Sequence, residues 1–451
     1  MNHDLEIARA LAENVQAAGG RAYFVGGYVR DALLGQEGKD IDVEVHGIAP
    51  EQLEAILDKL GERTVMGASF GVYGLRHCGL DIAMPRQETK NGRGHKDFSV
   101  FVDPFLGTQK AARRRDFTIN ALMQDVLTGE VIDHFGGRED LKNGILRHVC
   151  DESFPEDPLR ALRAAQFAAR FHFRLHPETT ALCASMDLTT LASERIIGEL
   201  NKALLKSDRP SVFFDVLRSM NHLDFWFPEI QALIDVEQEA RYHPEGDVYT
   251  HTMLVLDQAA QLRNQAKWPF GLMFSALCHD LGKPQATAVI DGRIRAFGHE
   301  TLGIAPAMAL ISRLTTESKL KKYVANMVEL HMRPNSLYYM KSGQRAYMKL
   351  LDASIEPNDL LLLAKADHCG RGGHENDYGE IEETLRSMLG VYRELMNRPC
   401  VRGEDLIRAG IKPGKAMGEA LAFAHRLHLQ GVAKESALTQ TLVFAKGRAD
   451  S

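Results

Sequence analysis

The apolar pattern of this chain changes character once. Up to about residue 150, short apolar runs of strand length alternate with helical stretches, as in "RAYFVGG" (21–27) and "VYGLRHCGLDIAMP" (72–85). From about residue 155 onward, apolar residues recur three and four apart almost without a break. "DPLRALRAAQFAARF", "TMLVLDQAAQLRNQ", "LKKYVANMVELHM" and "NDLLLLAKAD" are all of this second kind. Strands gathered at the front and helices behind predict an α+β fold: an N-terminal mixed sheet with helices, followed by an all-α neck, body and tail. A length of 451 residues exceeds what one core serves. Clusters of Pro, Gly and charge near "LRHVCDESFP", "DVEQEARYHPEGD" and "MNRPCVRGED" divide it into 1–150, 151–235, 236–390 and 391–451.

Composition removes several classes. With 45% hydrophobic and 25% charged residues the chain reads as an ordinary soluble protein, and no apolar run reaches membrane-spanning length. The first twenty residues form an acidic amphipathic helix pattern rather than a signal peptide, so a cytoplasmic location and no membrane partner are expected. Six scattered cysteines fit a reducing compartment and no disulfide framework. A net charge of −6 does not advertise nucleic acid, which leaves local patches such as "AARRRDF", with Arg113, Arg114 and Arg115, to supply any such contact.

In "KDIDVEVHG" (39–47), Asp40 and Asp42 alternate with Ile41, Val43 and Val45. On a strand that alternation sends the aspartates to one face and the β-branched residues to the other. Two carboxylates so close repel unless a cation lies between them, and hard oxygen ligands suit Mg²⁺, which also binds substrate phosphates. Upstream, Gly26 and Gly27 end a predicted strand and open a helix, where backbone N–H groups can approach phosphate. Arg30 follows one turn later, and Asp81 supplies a third carboxylate on another predicted strand. The order of these features predicts a two-metal site for nucleotidyl transfer, with Asp40, Asp42 and Asp81 as its catalytic carboxylates.

The stretch "FVGGYVRDALLGQEGKDIDVEVHG" (24–47) resembles the signature of class II tRNA nucleotidyltransferases and bacterial poly(A) polymerases. Four further segments resemble that family's motifs in its order: "RRRDFTINAL" (113–122), "DHFGGREDLKNGILRHV" (133–149), "EDPLRALRAAQFAARF" (156–171) and "SERIIGELNKALL" (193–205). The resemblance implies addition of C, C and A to the 3′ end of tRNA from CTP and ATP, with release of pyrophosphate. It makes Asp40 and Asp42 the Mg²⁺ ligands and sets Gly26, Gly27 and Arg30 on the triphosphate. Arg114, Asp116 and Asn120 would hold the nucleotide's sugar and phosphates. Asp157 and Arg160, with Arg163 beside them, would bind the nucleotide, the first two reading the base. Spaced three apart on a predicted helix, Asp157 and Arg160 share a face and can pair with a Watson–Crick edge. The segment "FLGTQKAARRRDF" (105–117) departs from the family pattern in lacking an Asp-Leu before Arg-Arg-Asp. Two alternatives stay open: a poly(A) polymerase or partial CC- or A-adding enzyme, and a front domain that only binds RNA.

Among 18 histidines, one ordered set stands out: His251, the pair His279-Asp280, His299, His331 and Asp367. Imidazole and carboxylate together suit Mn²⁺, Fe, Ni²⁺ or Mg²⁺, and such an ion activates water for phosphoester hydrolysis. The order resembles the HD phosphohydrolase superfamily. That resemblance implies His251, His279, Asp280 and Asp367 around one ion, His299 and His331 available to a second, and Lys283 on a substrate phosphate. It further implies phosphatase or 2′,3′-cyclic phosphodiesterase activity on damaged RNA ends. The segment 401–427, with "GIKPGKAMG", resembles the C-terminal part of the same transferases and can hold RNA backbone. The oligomeric state is left open by the sequence.

Overall fold

The computed structural model describes residues 2–36, 40–67, 72–90, 98–373 and 377–449. Residues 37–39, ahead of the Asp-x-Asp motif, therefore lie outside the described residues. The chain forms two compact units: one runs to Ala203 and takes in Val212–Phe225, and the other comprises Leu204–Ser211 and the chain from Trp226 onward.

The first unit is built on a mixed sheet. Its early elements are α1 (Asn2–Ala17), β1 (Arg21–Val25), α2 (Gly27–Leu33), β2 (Ile41–His46) and α3 (Pro50–Leu60). Then come β3 (Arg63–Gly67), β4 (Val72–Leu75), β5 (Leu80–Ala83), β6 (Arg86–Lys90), β7 (Phe98–Val102) and α4 (Thr108–Arg113). After these follow β8 (Met123–Asp125), β9 (Val131–Ile132), α5 (Gly137–Asn143) and α6 (Leu159–Phe171). The strand order is β3-β4-β5-β2-β1-β8-β9, with β6 and β7 in a separate hairpin. All neighbours in the main sheet run antiparallel except β2 and β5, which are parallel.

Sequence pattern explains the layering. In β2, Ile41, Val43 and Val45 are buried while Asp42 and Glu44 are half-buried, the alternation expected of a strand with one face on the core. In α1, Ala8, Leu11, Ala12 and Val15 are buried, a helical stripe that packs against α3, β1 and β2. On β1, Tyr23 and Val25 join Ala112, Ala121 and Met123 in a second cluster with Phe135 and Val149 against it.

The second unit is helical. The helices Val248–Leu262, Pro269–Cys278, Ser318–Leu330 and Pro357–Cys369 pack on one another around Leu272, Met273, Phe274, Met327 and Leu363. Asp359 organises this core: fully buried, it accepts from the N–H groups of Lys267 (2.8 Å) and Trp268 (3.1 Å) and from the Tyr323 hydroxyl (2.7 Å). A hairpin, Thr287–Ile290 with Arg293–Ala296, interrupts the helices. Its turn, Asp291-Gly292, has φ of 52° and 71°, the left-handed pair that a two-residue Asp-Gly hairpin turn requires. Towards the C-terminus, the helices Lys415–Leu429 and Lys434–Ala449 pack with the Phe423 and Phe444 rings stacked at 4.4 Å. No described helix is long and apolar enough to cross a membrane.

One close approach fixes how two sequence motifs meet. Gly137 opens α5 directly against the Thr118 backbone, where a Cβ would overlap the Thr118 carbonyl oxygen. The Thr118 hydroxyl donates to Asp140 at 2.8 Å across the same junction. Because the obstacle is backbone, Gly137→Ala is expected to destabilise the first unit by about 2–3 kcal/mol. Chemical denaturation should show a lower midpoint with an unchanged slope.

Candidate functional site

Parallel pairing of β2 with β5 sets Asp42 directly across from Asp81. Residues in register on neighbouring strands project to the same face, so the two carboxylates share one side of the sheet. Asp40 lies in the bend before β2 and is exposed. β1 runs along the other edge of β2 and is followed by Gly26, whose φ of 66° suits glycine. A Cβ there would stand 3.0 Å from Arg115 Nη1 and 3.5 Å from Asp42 Oδ2, so the bare backbone lets this turn lie beside the carboxylate. Gly27 begins α2.

Charge around Asp42 is unbalanced. Burial pushes its carboxyl up from the ordinary carboxylate range, Arg115 pulls against the rise, and Asp81 and Asp40 add to it. Arg115 is shared, its Nη2 lying 3.4 Å from Glu44 Oε2. Burial also works against ionisation of Glu44, but a 2.8 Å contact with His46 and the pull of Arg115 hold it below its usual range. A divalent cation beside Asp42 would reverse its upward push, so these donors fit Mg²⁺ in charge and in chemistry. Among the described residues, Asp40, Asp42 and Asp81 do not draw to a common ligand distance as the histidines of the second unit do.

Arg30 is turned into the interior. Its Nε and Nη2 donate to Asp31 Oδ1 (2.8 and 2.6 Å), Nη1 donates to Asn120 Oδ1 (2.6 Å), and the guanidinium lies over the rings of Phe167 and Phe171. Asn120 in turn donates to Asp116 Oδ1 at 2.9 Å, and Asp116 Oδ2 accepts from Arg163 Nε at 2.7 Å with Nη2 at 2.6 Å. Burial alone would raise Asp116, but Arg163 and the bond from Asn120 outweigh it and hold the carboxyl below its ordinary range. Arg114 donates to the Arg86 carbonyl oxygen at 2.7 Å. Arg160 donates to the carbonyl oxygens of Ser153 and Arg114, both at 2.8 Å.

Asp157 stands just ahead of α6, which begins at Leu159, so it caps the helix instead of lying on its face. Its Oδ1 accepts from the Leu159 N–H at 3.1 Å and its Oδ2 from Arg195 Nη2 at 2.8 Å. Sequence reasoning left Arg115 in a general basic patch and did not name Arg195. The second residue had a signal, its place in the "SERIIGEL" segment; nothing in spacing separates Arg115 from its two neighbours.

In the second unit the six predicted ligands converge. The Nδ1 atoms of His279, His299 and His331 bond to the carbonyl oxygens of Ala276, Ala296 and Val328 at 2.8, 2.8 and 2.6 Å. A carbonyl only accepts, so each Nδ1 carries a proton and Nε2 is the ring nitrogen turned toward the cluster. Those Nε2 atoms face Asp280: His279 at 3.2 Å, His299 at 3.3 Å and His331 at 4.0 Å. His251 Nε2 lies 3.2 Å from Asp367 and 3.6 Å from Asp280. Two buried groups of ligand spacing result, His251/His279/Asp367 and Asp280/His299/His331.

Two observations say that these donors fit a metal. His279 Nε2 is buried with no hydrogen-bond partner. His331 is pushed down to about 3 by burial and by the neighbouring His279 and His299, which keeps it neutral and ligand-competent. Asp280 and Asp367 are held well below the ordinary range, against their burial, by the imidazoles with Lys283 and Arg371 respectively. Glu245, which the sequence did not single out, orients His251 through a 2.8 Å bond to its Nδ1 and is itself held low. Lys283 Nζ sits 2.6 Å from both Asp280 and Gln238. The cluster opens into a cleft of about 440 Å³ whose wall includes Asp280, Asp367, Lys283, Arg371, Arg293 and Arg295.

Comparison with known proteins gives concordant matches. Residues 22–147 match the family described as the poly A polymerase head domain, and residues 172–234 match that described as the probable RNA and SrmB-binding site of polymerase A. The chain is 39% identical over 372 residues to the multifunctional CCA protein of Actinobacillus pleuropneumoniae serotype 5b, covering 80% of this chain and 88% of that one. To the multifunctional CCA protein of Xylella fastidiosa strain M23 it is 37% identical over 421 residues, covering 90% and 95%. Its fold is similar to that of the Thermotoga maritima CCA-adding enzyme complexed with tRNA, with a TM-score of 0.65 at 22% identity over 97% of this chain and 94% of the other. The Bacillus stearothermophilus CCA-adding enzyme in complex with CTP gives 0.66 at 22% identity, covering both chains fully at 100%.

Asp116→Asn removes the acceptor that Arg163 relies on, and the first unit should lose about 3 kcal/mol at neutral pH. Because the folded carboxyl titrates below its unfolded value of about 3.9, its contribution is complete above that pH and fades as pH falls through the folded value. Denaturation as a function of pH should therefore show the variant's deficit shrinking below pH ~4.

Proposed function

The chain belongs to the family of multifunctional CCA proteins, and from that premise we propose that it adds C, C and A to the 3′ end of tRNA from CTP and ATP. The observation that carries the reading is the registered pair Asp42–Asp81 beside the glycine turn at Gly26. When bound there, Mg²⁺ would lower the pKa of the attacking 3′-hydroxyl and neutralise the triphosphate, in the manner of two-metal sites. Asp40, Asp42 and Asp81 would hold the ions, and the backbone N–H groups at Gly26 and Gly27 would meet the phosphates. Arg115, already within reach of Asp42, would stabilise charge on the leaving pyrophosphate. Arg114, Asp116 and Asn120 would position the sugar, Asp116 and Asn120 through the network that also fixes Arg30 and Arg163. Asp157 and Arg160 would exchange their present partners for the Watson–Crick edge of the incoming base, so that protein replaces a template.

A second activity is favoured by the convergent histidines. We infer that the second unit is a metal-dependent phosphohydrolase acting on 2′,3′-cyclic or terminal phosphates, with the ion supplying hydroxide at neutral pH. His251, His279, Asp280 and Asp367 would hold it, with His299 and His331 available to another, and Lys283 would steady the phosphate.

The test is extension of three labelled tRNAs, ending at the discriminator base, at C and at CC, with Mg²⁺ and CTP, ATP or both. Complete CCA ends followed by arrest are expected. Open-ended A tracts would instead identify a poly(A) polymerase, and CC or A alone a partial enzyme. Asp42→Ala should lower extension by more than about 10³-fold, the cost of several kcal/mol of transition-state stabilisation. Asp280→Asn should leave extension intact while abolishing metal-dependent hydrolysis of 2′,3′-cyclic AMP.

A further inference from the structure

One cation on the wall of the second unit's cleft is only loosely paired within the chain. Arg371 follows the helix Pro357–Cys369 that carries Asp367, on a turn held from two sides. Gly370 packs directly onto Val255, where a Cβ would come within 2.8 Å of the Val255 backbone nitrogen. Beyond it, the Gly372 N–H donates to Glu245 Oε2 at 3.1 Å, and the other oxygen of that same carboxylate orients His251. Arg371 is thus placed with the precision of the metal-ligand cluster itself, and it lines the cleft together with Lys283.

Its bonding is incomplete. The ion pair to Asp367 spans 3.6 Å from Nη2 to Oδ2, beyond hydrogen-bond range, and Nε is buried with no hydrogen-bond partner. Lys283, by contrast, already has two oxygens at 2.6 Å. A guanidinium presents five donors in a rigid fork, and a buried donor without an acceptor calls for one from outside the chain. The planar fork matches two oxygens of a phosphoryl group, a bidentate geometry that a lysine cannot offer.

Building on the phosphohydrolase reading, we propose that Arg371 is a phosphate-binding residue of this cleft, gripping two substrate phosphoryl oxygens while Lys283 keeps its bonds to Asp280 and Gln238. Asp367 then serves the cluster, with Arg371 standing 3.6 Å from it on the cleft that both line.

The test uses the full-length chain loaded with Mn²⁺ and inorganic phosphate as the probe, in an Asp42→Ala background that weakens metal-held phosphate binding in the first unit. Calorimetry should find phosphate bound about 10- to 100-fold more weakly by Arg371→Met, with bound Mn²⁺ unchanged. Arg371→Lys should recover only part of the loss, because it restores charge without the fork. With Asp42 native, the KM for 2′,3′-cyclic AMP should rise in parallel in Arg371→Met. Unaltered phosphate binding in Arg371→Met, or no binding in the unsubstituted cleft, overturns the assignment. Loss of Mn²⁺ together with phosphate overturns it too, since Arg371 would then act only by holding Asp367. Arg371-dependent phosphate binding without any hydrolysis would sink the phosphohydrolase reading and leave the assignment standing. Hydrolysis that survives the Met variant intact would do the reverse.

Discussion

Covering the guanidinium of Arg30 with Phe167 and Phe171 obliges the first unit to bring acceptors to a charge that has left water. It does so with Asp31 and Asn120, and Asn120 passes the demand on to Asp116 and from there to Arg163. The members come from the helix after the glycine turn, from the segment after the arginine run and from α6, three stretches separated in sequence. Buried networks of this kind add little net stability over an apolar replacement, but removing one member strands the rest. What the network supplies is geometry: α2 cannot shift against α6 without stranding a charge.

Asp359 plays the same part in the second unit. It binds the N-terminal end of the helix Pro269–Cys278, the hydroxyl of Tyr323 in Ser318–Leu330, and belongs itself to Pro357–Cys369. Each of these helices delivers a predicted ligand further along: His279 and Asp280, His331, and Asp367. From Asp359 to Asp367, and from Tyr323 to His331, the chain climbs about 12 Å at 1.5 Å per helical residue. Rods tied together at one level must present their ends together at another. The close spacing of the imidazole and carboxylate atoms follows from that anchor as much as from the ligands themselves.

What the sequence disclosed tracks what is local. The single change from strand to helical periodicity gave the fold class, and alternation in "IDVEV" gave the buried and half-buried faces of β2. The histidines stood out because their residue types and order carry chemistry whatever the fold. The hairpin 287–296 escaped because most of its residues are exposed or half-buried and so leave no apolar period, although Asp-Gly marked its turn. The spacing puts Asp157 and Arg160 on one helical face, but the helix begins only at Leu159, two residues too late for that. Arg115, Glu245, Asp359 and the interior position of Arg30 were invisible for a common reason. Each acquires its role from partners that only the folded chain brings near.

The two sites meet one electrostatic problem in opposite ways. Asp42 and Asp81 lie side by side with one arginine in reach of Asp42, shared with Glu44, and burial drives Asp42 toward its protonated form. Such a pair binds a cation mainly by repelling itself without one, which suits an ion that arrives and leaves with each nucleotide's phosphates. Asp280 and Asp367 are instead held ionised by imidazoles, Lys283 and Arg371. Their Nε2 partners are already turned inward, by backbone carbonyls for His279, His299 and His331 and by Glu245 for His251. Little would remain to be reorganised on entry of an ion, so under the proposed function the second cluster would suit a resident metal and the first a visiting one.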